Sequence, residues 1–226
     1  MAEQIKEVIK KEYVRCAQDP VYFLKKYCMI QHPIKGKIPF GLYPFQETTI
    51  NEFKDNRFNI ILKARQLGIS TLSAGYALWM MLFHNDKNIL VIATGKDTAK
   101  NLVTKVRVMY DGLPQWLKTG TEEINKLSLR FKNGSQIKAI ASNESAGRSE
   151  ALSLLIIDEA AFIDRIDTIW TAAQQTLATG GGCIALSTPN GVGNWFHKQW
   201  VGAEDGTNEF NTIKLHWTDH PERTEE

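Results

Sequence analysis

The feature that most constrains the fold of this chain is an apolar run, Leu-Leu-Ile-Ile at positions 154–157, that leads directly into Asp158 and Glu159. An uninterrupted apolar run is typical of a strand that is buried on both faces of a parallel sheet. Two carboxylates directly after such a strand would lie at the carboxyl edge of the sheet, where open α/β folds bind their ligands. The alternative is structural: the acids would cap an exposed strand end or favour the N-terminus of a following helix.

The same strand pattern recurs along the chain, with helical stretches between the strands. The strand-like segments are residues 59–63, 88–94, 152–157, 183–187 and 211–217, and the helical stretches are residues 70–83 and 98–110. Strand–helix–strand order requires crossover connections, which give a largely parallel sheet. Alternating residues around Asn133-Gly134 predict an antiparallel hairpin over residues 127–141. The sequence therefore predicts an α/β sandwich with a mostly parallel central sheet.

The first 44 residues follow a different pattern. Residues 3–16 have apolar positions at helical spacing, and Asp19-Pro20 is typical of the capped start of a second helix. Residues 32–44 are interrupted by prolines and glycines, which predicts an extended connector. We expect a small N-terminal helical or lid segment over residues 1–44 and a core domain over residues 45–226.

Charge and cysteine content narrow the possible partners and sites. The chain has 27 Lys and Arg against 25 Asp and Glu, and this balance neither requires nor excludes a nucleic-acid partner. Cys16, Cys28 and Cys183 are widely spaced and form no CxxC pair, which argues against a zinc site or a disulfide framework. No apolar stretch approaches the roughly 20 residues of a membrane helix. We therefore expect a cytoplasmic protein without a membrane partner.

The segment between the strand at 59–63 and the helix at 70–83 resembles a phosphate-binding loop. In the pattern G-x-x-x-x-G-K-[ST], backbone N–H groups cradle phosphates, the lysine reaches the terminal phosphates and the hydroxyl holds magnesium. Alignment on Gly68 places Ser70 at the magnesium position, but Ile69 stands where the lysine would be. The loop otherwise has a flexible glycine and a helix N-terminus, which together suit an anion.

Two cations at the start of this loop can replace the missing lysine. Lys63 stands where the first glycine would be, and Arg65 follows two residues later. Either side chain can reach the same phosphate oxygens from the other end of the loop. The alternative is an ordinary strand-to-helix turn with two surface cations. The predicted ATP-binding residues of the loop are Lys63, Ala64, Arg65, Gln66, Leu67, Gly68, Ile69, Ser70 and Thr71.

Two further segments suit the same site. Ser187, Thr188 and Pro189 follow the strand at 183–187, so their hydroxyls would lie at the same sheet edge as Asp158 and could sense the γ-phosphate. The alternative is a polar turn. Gln46 follows two aromatic residues and offers a donor and an acceptor to an adenine edge. Taken alone, this segment is better explained as the first turn of a helix packed by aromatic rings.

These motifs resemble the ATPase domain of the large terminase subunit of tailed bacteriophages, the motor that pumps DNA into the capsid. The matching motifs are Tyr-Pro-Phe-Gln at 43–46, Lys-Ala-Arg-Gln-Leu-Gly-Ile-Ser-Thr at 63–71, Leu-Leu-Ile-Ile-Asp-Glu-Ala-Ala-Phe at 154–162 and Ser-Thr-Pro-Asn-Gly at 187–191. The resemblance covers the chain from about Asp19 onward. It implies that Gln46 contacts adenine, that the loop holds the triphosphate, that Asp158 helps to bind Mg²⁺, and that Glu159 is catalytic. It also implies that residues 187–189 couple hydrolysis to motion.

The resemblance further implies an arginine finger, a guanidinium that stabilises charge developing on the γ-phosphate. Arg148, within residues 145–150, would reach the nucleotide of a neighbouring subunit in a ring. Arg65 is the competing candidate and would act within its own site. A planar guanidinium fork suits either role, because it can bind two phosphate oxygens at once. The alternative for Arg148 is a solvated surface cation.

The family also suggests partners and a setting. They are ATP with Mg²⁺, double-stranded DNA, the portal protein and the small terminase subunit, in a homo-oligomeric ring docked on the procapsid in the host cytoplasm; the isolated chain would be a monomer. Family members continue into an RNase H-like nuclease domain, and this chain ends at Glu226, so we expect no nuclease activity from it. The alternatives are a helicase-like translocase on the same core and a non-catalytic nucleotide-binding scaffold. Ile69 favours the scaffold, whereas Glu159 argues against it.

Overall fold

A computed structural model of the protein describes residues 2–142 and 151–223. Its strands are β1 Met29–His32, β2 Gly36–Pro39, β3 Phe58–Lys63, β4 Asn88–Ala93, β5 Thr121–Ile124, β6 Ser128–Phe131, β7 Gln136–Ala141, β8 Leu154–Asp158, β9 Gly182–Ser187 and β10 Asn211–Leu215. Its α-helices are α1 Ala2–Gln18, α2 Pro20–Tyr27, α3 Pro44–Asp55, α4 Ile69–Phe83, α5 Lys96–Gly112, α6 Ile166–Leu177 and α7 Trp195–Glu204. None of the described helices is both long and apolar enough to cross a membrane.

The main sheet has eight strands in the order β10-β3-β9-β8-β4-β7-β6-β5. The six strands from β10 to β7 are parallel to their neighbours, and β5 and β6 add an antiparallel edge. The predicted mostly parallel α/β sheet and the hairpin at Asn133-Gly134 are therefore confirmed. Only β9 separates the end of β3 from the end of β8. The loop after β3 and the acids that end β8 consequently meet at one edge of the sheet.

Two layers of helices cover the two faces of the sheet. Alternate residues of β8 point to opposite faces, so Ile156 lies in the hydrophobic cluster that contains α4 and α5. Its neighbour Ile157 lies in the second cluster, which contains α6 and the start of α7. Both residues are fully buried. Burial on both sides explains why β8 is apolar along its whole length, since no residue between its ends faces water.

The N-terminal helices form as predicted. The side chain of Asp19 accepts a hydrogen bond of 2.9 Å from the N–H of Tyr22, and Pro20 occupies the first turn of α2. The fully buried Phe23 and Leu24 of α2 pack in the same cluster as α4. Residues 32–44, predicted as an extended connector, differ from that expectation, because β2 pairs with β1 in a hairpin in which Gly36, the first residue of β2, has a φ of 70°.

A single carboxylate ties α1 to α2. Glu12 accepts hydrogen bonds from Lys26, from the hydroxyl of Tyr22 and from the hydroxyl of Tyr27. These three bonds, that from Lys26 foremost, lower the pKa of Glu12 from 4.5 to about 2. Because the folded state holds the anion, the contribution of Glu12 to stability is complete above about pH 4.5 and is lost as the pH falls towards 2.

We expect Glu12→Gln to lower the melting temperature at neutral pH and to have progressively less effect as the pH falls from 4.5 towards 2. Thermal melts of both proteins across this pH range test the expectation. Glu7→Gln is the matched control, because Glu7 lies on the same helix and pairs loosely with Lys11 at 3.7 Å with both side chains exposed. A Glu12→Gln deficit that stays constant down to pH 2 would contradict the assignment.

Candidate functional site

The loop between β3 and α4 turns sharply enough to aim the N-terminus of α4 at the carboxyl edge of the sheet. Gln66 and Gly68 both have a left-handed backbone, with φ of 59° and 76°. Gly68 is the N-cap of α4, and a Cβ atom added to it would lie 2.7 Å from Nε2 of Gln46. Glycine is required there for its conformation and for this close approach. The free N–H groups at the start of α4 give this end of the helix a positive potential.

Gln46 lies against this loop. Its side chain is buried, and its Nε2 donates a 3.0 Å hydrogen bond to the carbonyl of Leu67. Its Oε1 accepts a 3.1 Å bond from the N–H of Tyr43 at the start of α3. In this conformation the side-chain amide of Gln46 stabilises the loop. These two bonds use its oxygen and one of its two N–H groups, and the second N–H group is not used in them. A helix does begin at Pro44, with the aromatic residues packed around its first turn.

Asp158, the last residue of β8, faces the first turn of α4. The hydroxyl of Ser70 donates a 3.1 Å hydrogen bond to Oδ1 of Asp158. Burial raises the pKa of Asp158, although the bond from Ser70 and the charge of Lys63 act in the opposite direction. The structure thus brings together a hydroxyl and a carboxylate, the two side chains predicted to hold magnesium.

Glu159 is held in an unusual backbone conformation by contacts at both carboxylate oxygens. Its φ of 55° and ψ of 48° are left-handed, which is rare for a non-glycine residue and turns the side chain out of the strand direction. Oε1 lies 2.7 Å from Nζ of Lys63. Oε2 accepts bonds of 3.0 and 3.1 Å from the N–H and the hydroxyl of Thr188. Burial alone would raise the pKa of Glu159, but the bonds from Lys63 and Thr188 prevail and lower it.

The end of β9 and the residues after it contact both Glu159 and the short turn Ala160–Phe162. The hydroxyl of Ser187 is fully buried, accepts a bond of 3.1 Å from the N–H of Ala161 and lies 3.4 Å from Oε2 of Glu159. The side chain of Asn190 donates a 2.9 Å bond to the carbonyl of Ala161. Pro189, between them, is exposed. Residues 187–190 therefore make hydrogen bonds both to Glu159 and to Ala161 in the turn that follows it.

The structure separates the two cations that sequence reasoning left as alternatives. The side chain of Lys63 is only 7% exposed and faces Glu159. Arg65 is exposed on the loop. Ile69, which replaces the usual lysine, is buried in the core beneath the loop. Ala64 uses its N–H to bond the carbonyl of Leu215 at 3.0 Å, so this end of the loop continues the pairing of β3 with β10.

The remaining predicted residues divide between the site and an undescribed segment. Thr71 follows Ser70 in the first turn of α4 and is partly buried. Arg148 lies outside the described residues. Of the residues that flank its segment, Ser142 bonds Ala93 at the carboxyl end of β4, whereas Ala151 bonds the side chain of Asn88 at the opposite end of that strand.

One contact at the site was missed from the sequence. Arg223, eight residues after the end of β10, donates bonds of 3.0 and 3.3 Å to the carbonyls of Arg65 and Gln66 in the loop. No motif marks this arginine, because its role depends on where the chain runs after the sheet. Only the three-dimensional path brings it to the loop.

A parallel sheet whose carboxyl edge joins a helix N-terminus, a buried lysine, a hydroxyl and two acids defines the P-loop NTPase class. Within that class, residues 60–222 match the family model described as terminase large subunit, T4likevirus-type, N-terminal. The match covers well over half of the chain, and the chain belongs to this family.

Similar proteins agree with this placement. Over 101 residues, 44% of this chain, it is 32% identical to the probable terminase large subunit gp28 of Escherichia phage Mu, and the matched stretch spans 18% of that protein. The large terminase ATPase domain of Thermus phage P74-26 superposes with a TM-score of 0.63 at 22% identity, over 81% of this chain and 85% of that one. The large terminase of bacteriophage HK97 gives 0.69 at 18% identity, over 89% of this chain and 43% of that one. At these identities, the structural matches establish the fold.

Proposed function

We propose that this chain hydrolyses ATP with Mg²⁺ and is the motor domain of a viral machine that drives double-stranded DNA into a capsid. The observation that carries the proposal is the pair of contacts Ser70–Asp158 and Lys63–Glu159, which join the loop and the start of α4 to two adjacent acids at the end of β8. This arrangement suits a triphosphate and a metal ion held between two elements that are far apart in sequence. Family membership supports the motor role.

The side chains of Ser70 and Asp158 are suitable ligands for magnesium. The ion prefers hard oxygen ligands, and it usually takes one or two from the protein and the rest from water and phosphates. Ser70 and Asp158 supply a hydroxyl and a carboxylate that are already within 3.1 Å of each other. Bound there, Mg²⁺ would neutralise charge on the β- and γ-phosphates.

The ion pair between Lys63 and Glu159 suggests how hydrolysis is prepared. An incoming γ-phosphate presents oxygens with more charge than one carboxylate, so Lys63 would transfer its hydrogen bonds from Glu159 to the nucleotide. Glu159 would stay held by Thr188, with its other oxygen free to accept a proton from the attacking water. The N–H and hydroxyl of Thr188 favour the anionic form of Glu159, which is the basic form that this step requires. Arg65 in the same chain or Arg148 in a neighbouring one would supply the guanidinium.

Family membership also suggests a wider setting. We propose that the chain works as a subunit of a homo-oligomeric ring on the procapsid in the host cytoplasm, with the portal protein, the small terminase subunit and DNA as partners. Residues 45–226 would be the ATPase core and residues 1–44 an accessory segment. A neighbour's arginine can raise turnover by about a thousandfold or more, so the isolated chain should be assayed in single turnovers at high protein concentration.

We expect ATP hydrolysis by the purified chain to stop when EDTA removes Mg²⁺. Ser70→Ala should raise the Mg²⁺ concentration for half-maximal hydrolysis by about tenfold, because one metal ligand is lost. Ser73→Ala is the matched control: it lies one turn further along α4, is fully buried, and its hydroxyl has no hydrogen-bond partner among the described residues. Hydrolysis that survives EDTA, or Mg²⁺ titrations in which the two variants coincide, would refute the proposed site.

A further inference from the structure

Three consecutive carbonyls of the phosphate loop are held by side chains from distant parts of the chain. Arg223 donates through Nη2 to the carbonyl of Arg65 at 3.0 Å and to that of Gln66 at 3.3 Å. Gln46 donates to the next carbonyl, that of Leu67, at 3.0 Å. Two elements therefore hold the loop by hydrogen bonds: the start of α3 and the segment that follows β10.

These hydrogen bonds to the carbonyls also fix the direction of the loop's N–H groups. The structure contains no cis peptide bond among its described residues, and in a trans peptide the C=O of one residue and the N–H of the next point in opposite directions. With the carbonyls of residues 65–67 turned towards Arg223 and Gln46, the N–H groups of residues 66–68 point away from these two side chains. Within residues 2–142 and 151–223 these three N–H groups have no hydrogen-bond acceptor. Successive unpaired N–H groups directly before a helix N-terminus form a cradle for an anion.

The segment that carries Arg223 is itself well anchored. A short 3₁₀ turn at Trp217–Asp219 is closed by a 2.7 Å bond from the N–H of His216 to Asp219. The ring of His220 then lies 4.7 Å from the ring of Tyr43, measured between centroids. Burial, together with the neighbouring carboxylate of Glu222, raises the pKa of Tyr43. The segment thus contacts the start of α3 as well as the loop.

We propose that Arg223 is a positioning residue that orients the phosphate loop for nucleotide binding. The inference rests on the proposed function, since it takes the loop's ligand to be the phosphates of a nucleotide. Arginine suits the task because its rigid, planar set of donors can satisfy two adjacent carbonyls with little loss of side-chain freedom. The segment after β10 is accordingly part of the nucleotide site.

The test is nucleotide affinity, measured by calorimetric titration of the full chain with Mg-ADP. We expect Arg223→Ala to raise the Kd by about tenfold, and Arg223→Lys, whose ammonium is a point donor, to recover part of the loss. KM for ATP should rise with the Kd while kcat changes little, because the loop holds the ground state and the transition state alike. Arg130→Ala is the matched control. Arg130 lies in β6, near the other end of the sheet, and pairs with the carboxylate of Glu122 at 3.1 Å.

A competitor without a base separates loop positioning from effects on Tyr43 and His220. The inhibition constant of tripolyphosphate, obtained from its displacement of labelled ADP and corrected for the ADP Kd of each protein, should be about tenfold higher for Arg223→Ala than for the wild type, because tripolyphosphate engages only the loop. Wild-type affinity in Arg223→Ala, or a loss for ADP without a loss for tripolyphosphate, would overturn the inference and leave the proposed function intact. Failure of the wild type to bind ADP would instead refute the proposed function.

Discussion

Glu159→Gln should lower ATP turnover by about 10²- to 10⁴-fold, the usual contribution of a general base, while nucleotide still binds. Glutamine can accept the hydrogen bonds of Thr188 through its carbonyl oxygen, so the side chain should stay in place. It cannot accept a proton from water. It also loses the ion pair with Lys63, which leaves that lysine free for phosphate and should make binding as tight as in the wild type or tighter.

The measurement is a single-turnover assay at protein concentrations above the Kd, together with an independent binding titration. Glu122→Gln serves as the control, because Glu122 is about half exposed and pairs with Arg130 in the antiparallel β5–β6 pair, away from the site. Glu122→Gln should melt close to the wild type, whereas Glu159→Gln should melt at a lower temperature, because it leaves the buried ammonium of Lys63 without its carboxylate. If Glu159→Gln hydrolyses ATP at the rate of Glu122→Gln, Glu159 is not the base.

Lys63→Ala should weaken binding of ADP and of a slowly hydrolysed ATP analogue by about 10- to 100-fold, whereas Arg65→Ala should change either affinity by less than about threefold. The difference follows from position. Lys63 is buried and points across the site at Glu159. Arg65 is exposed, and Arg223 contacts the backbone of this residue. A charged hydrogen bond made in a partly dehydrated site contributes much more than one made in water.

The two variants control for each other, because each removes one cation from the same loop. Melting curves should accompany the titrations, since Lys63→Ala leaves the partly buried carboxylate of Glu159 without its cation. A large loss of affinity in Arg65→Ala with little change in Lys63→Ala would reverse the assignment. A large loss in turnover but not in affinity for Arg65→Ala would identify it as the guanidinium that acts in its own site.

The parts of the fold that could be predicted are those whose cause is local. The apolar run of β8 specifies a strand buried on both faces, and Asp19-Pro20 specifies the start of α2. The crossover logic then places the loop and the acids at the same sheet edge without any structural knowledge. Lys63, Ser70 and the two acids could be singled out on this basis, and the structure brings all four together.

The missed elements have weak or absent local signals. Helix α6 starts after Arg165, which has a φ of 56° and does not belong to the residue types that usually cap helices. Strand β5 is largely exposed and carries two glutamates, so its conformation depends on pairing with β6. The hairpin of β1 and β2 was obscured by the prolines and glycines around it. In each case tertiary packing outweighs the local preference.

The finest features of the site depend on contacts that no linear pattern encodes. The left-handed backbone of Glu159 is unfavourable for that residue and persists because Lys63 and Thr188 hold its side chain. Arg223 reaches the loop only because β10 lies next to β3 and delivers the following segment to the same edge. Residue type and spacing therefore predicted which groups take part, but not how the loop and the carboxylate are held.

The most direct test of the account is a crystal structure of the Glu159→Gln variant with Mg-ATP. We predict one triphosphate in the cradle before Gly68, one Mg²⁺ contacted by Ser70 and, directly or through water, by Asp158, and Lys63 on the terminal phosphates. A triphosphate bound elsewhere, or an ion that touches neither Ser70 nor Asp158, would contradict the claim that the loop and the acids share one nucleotide.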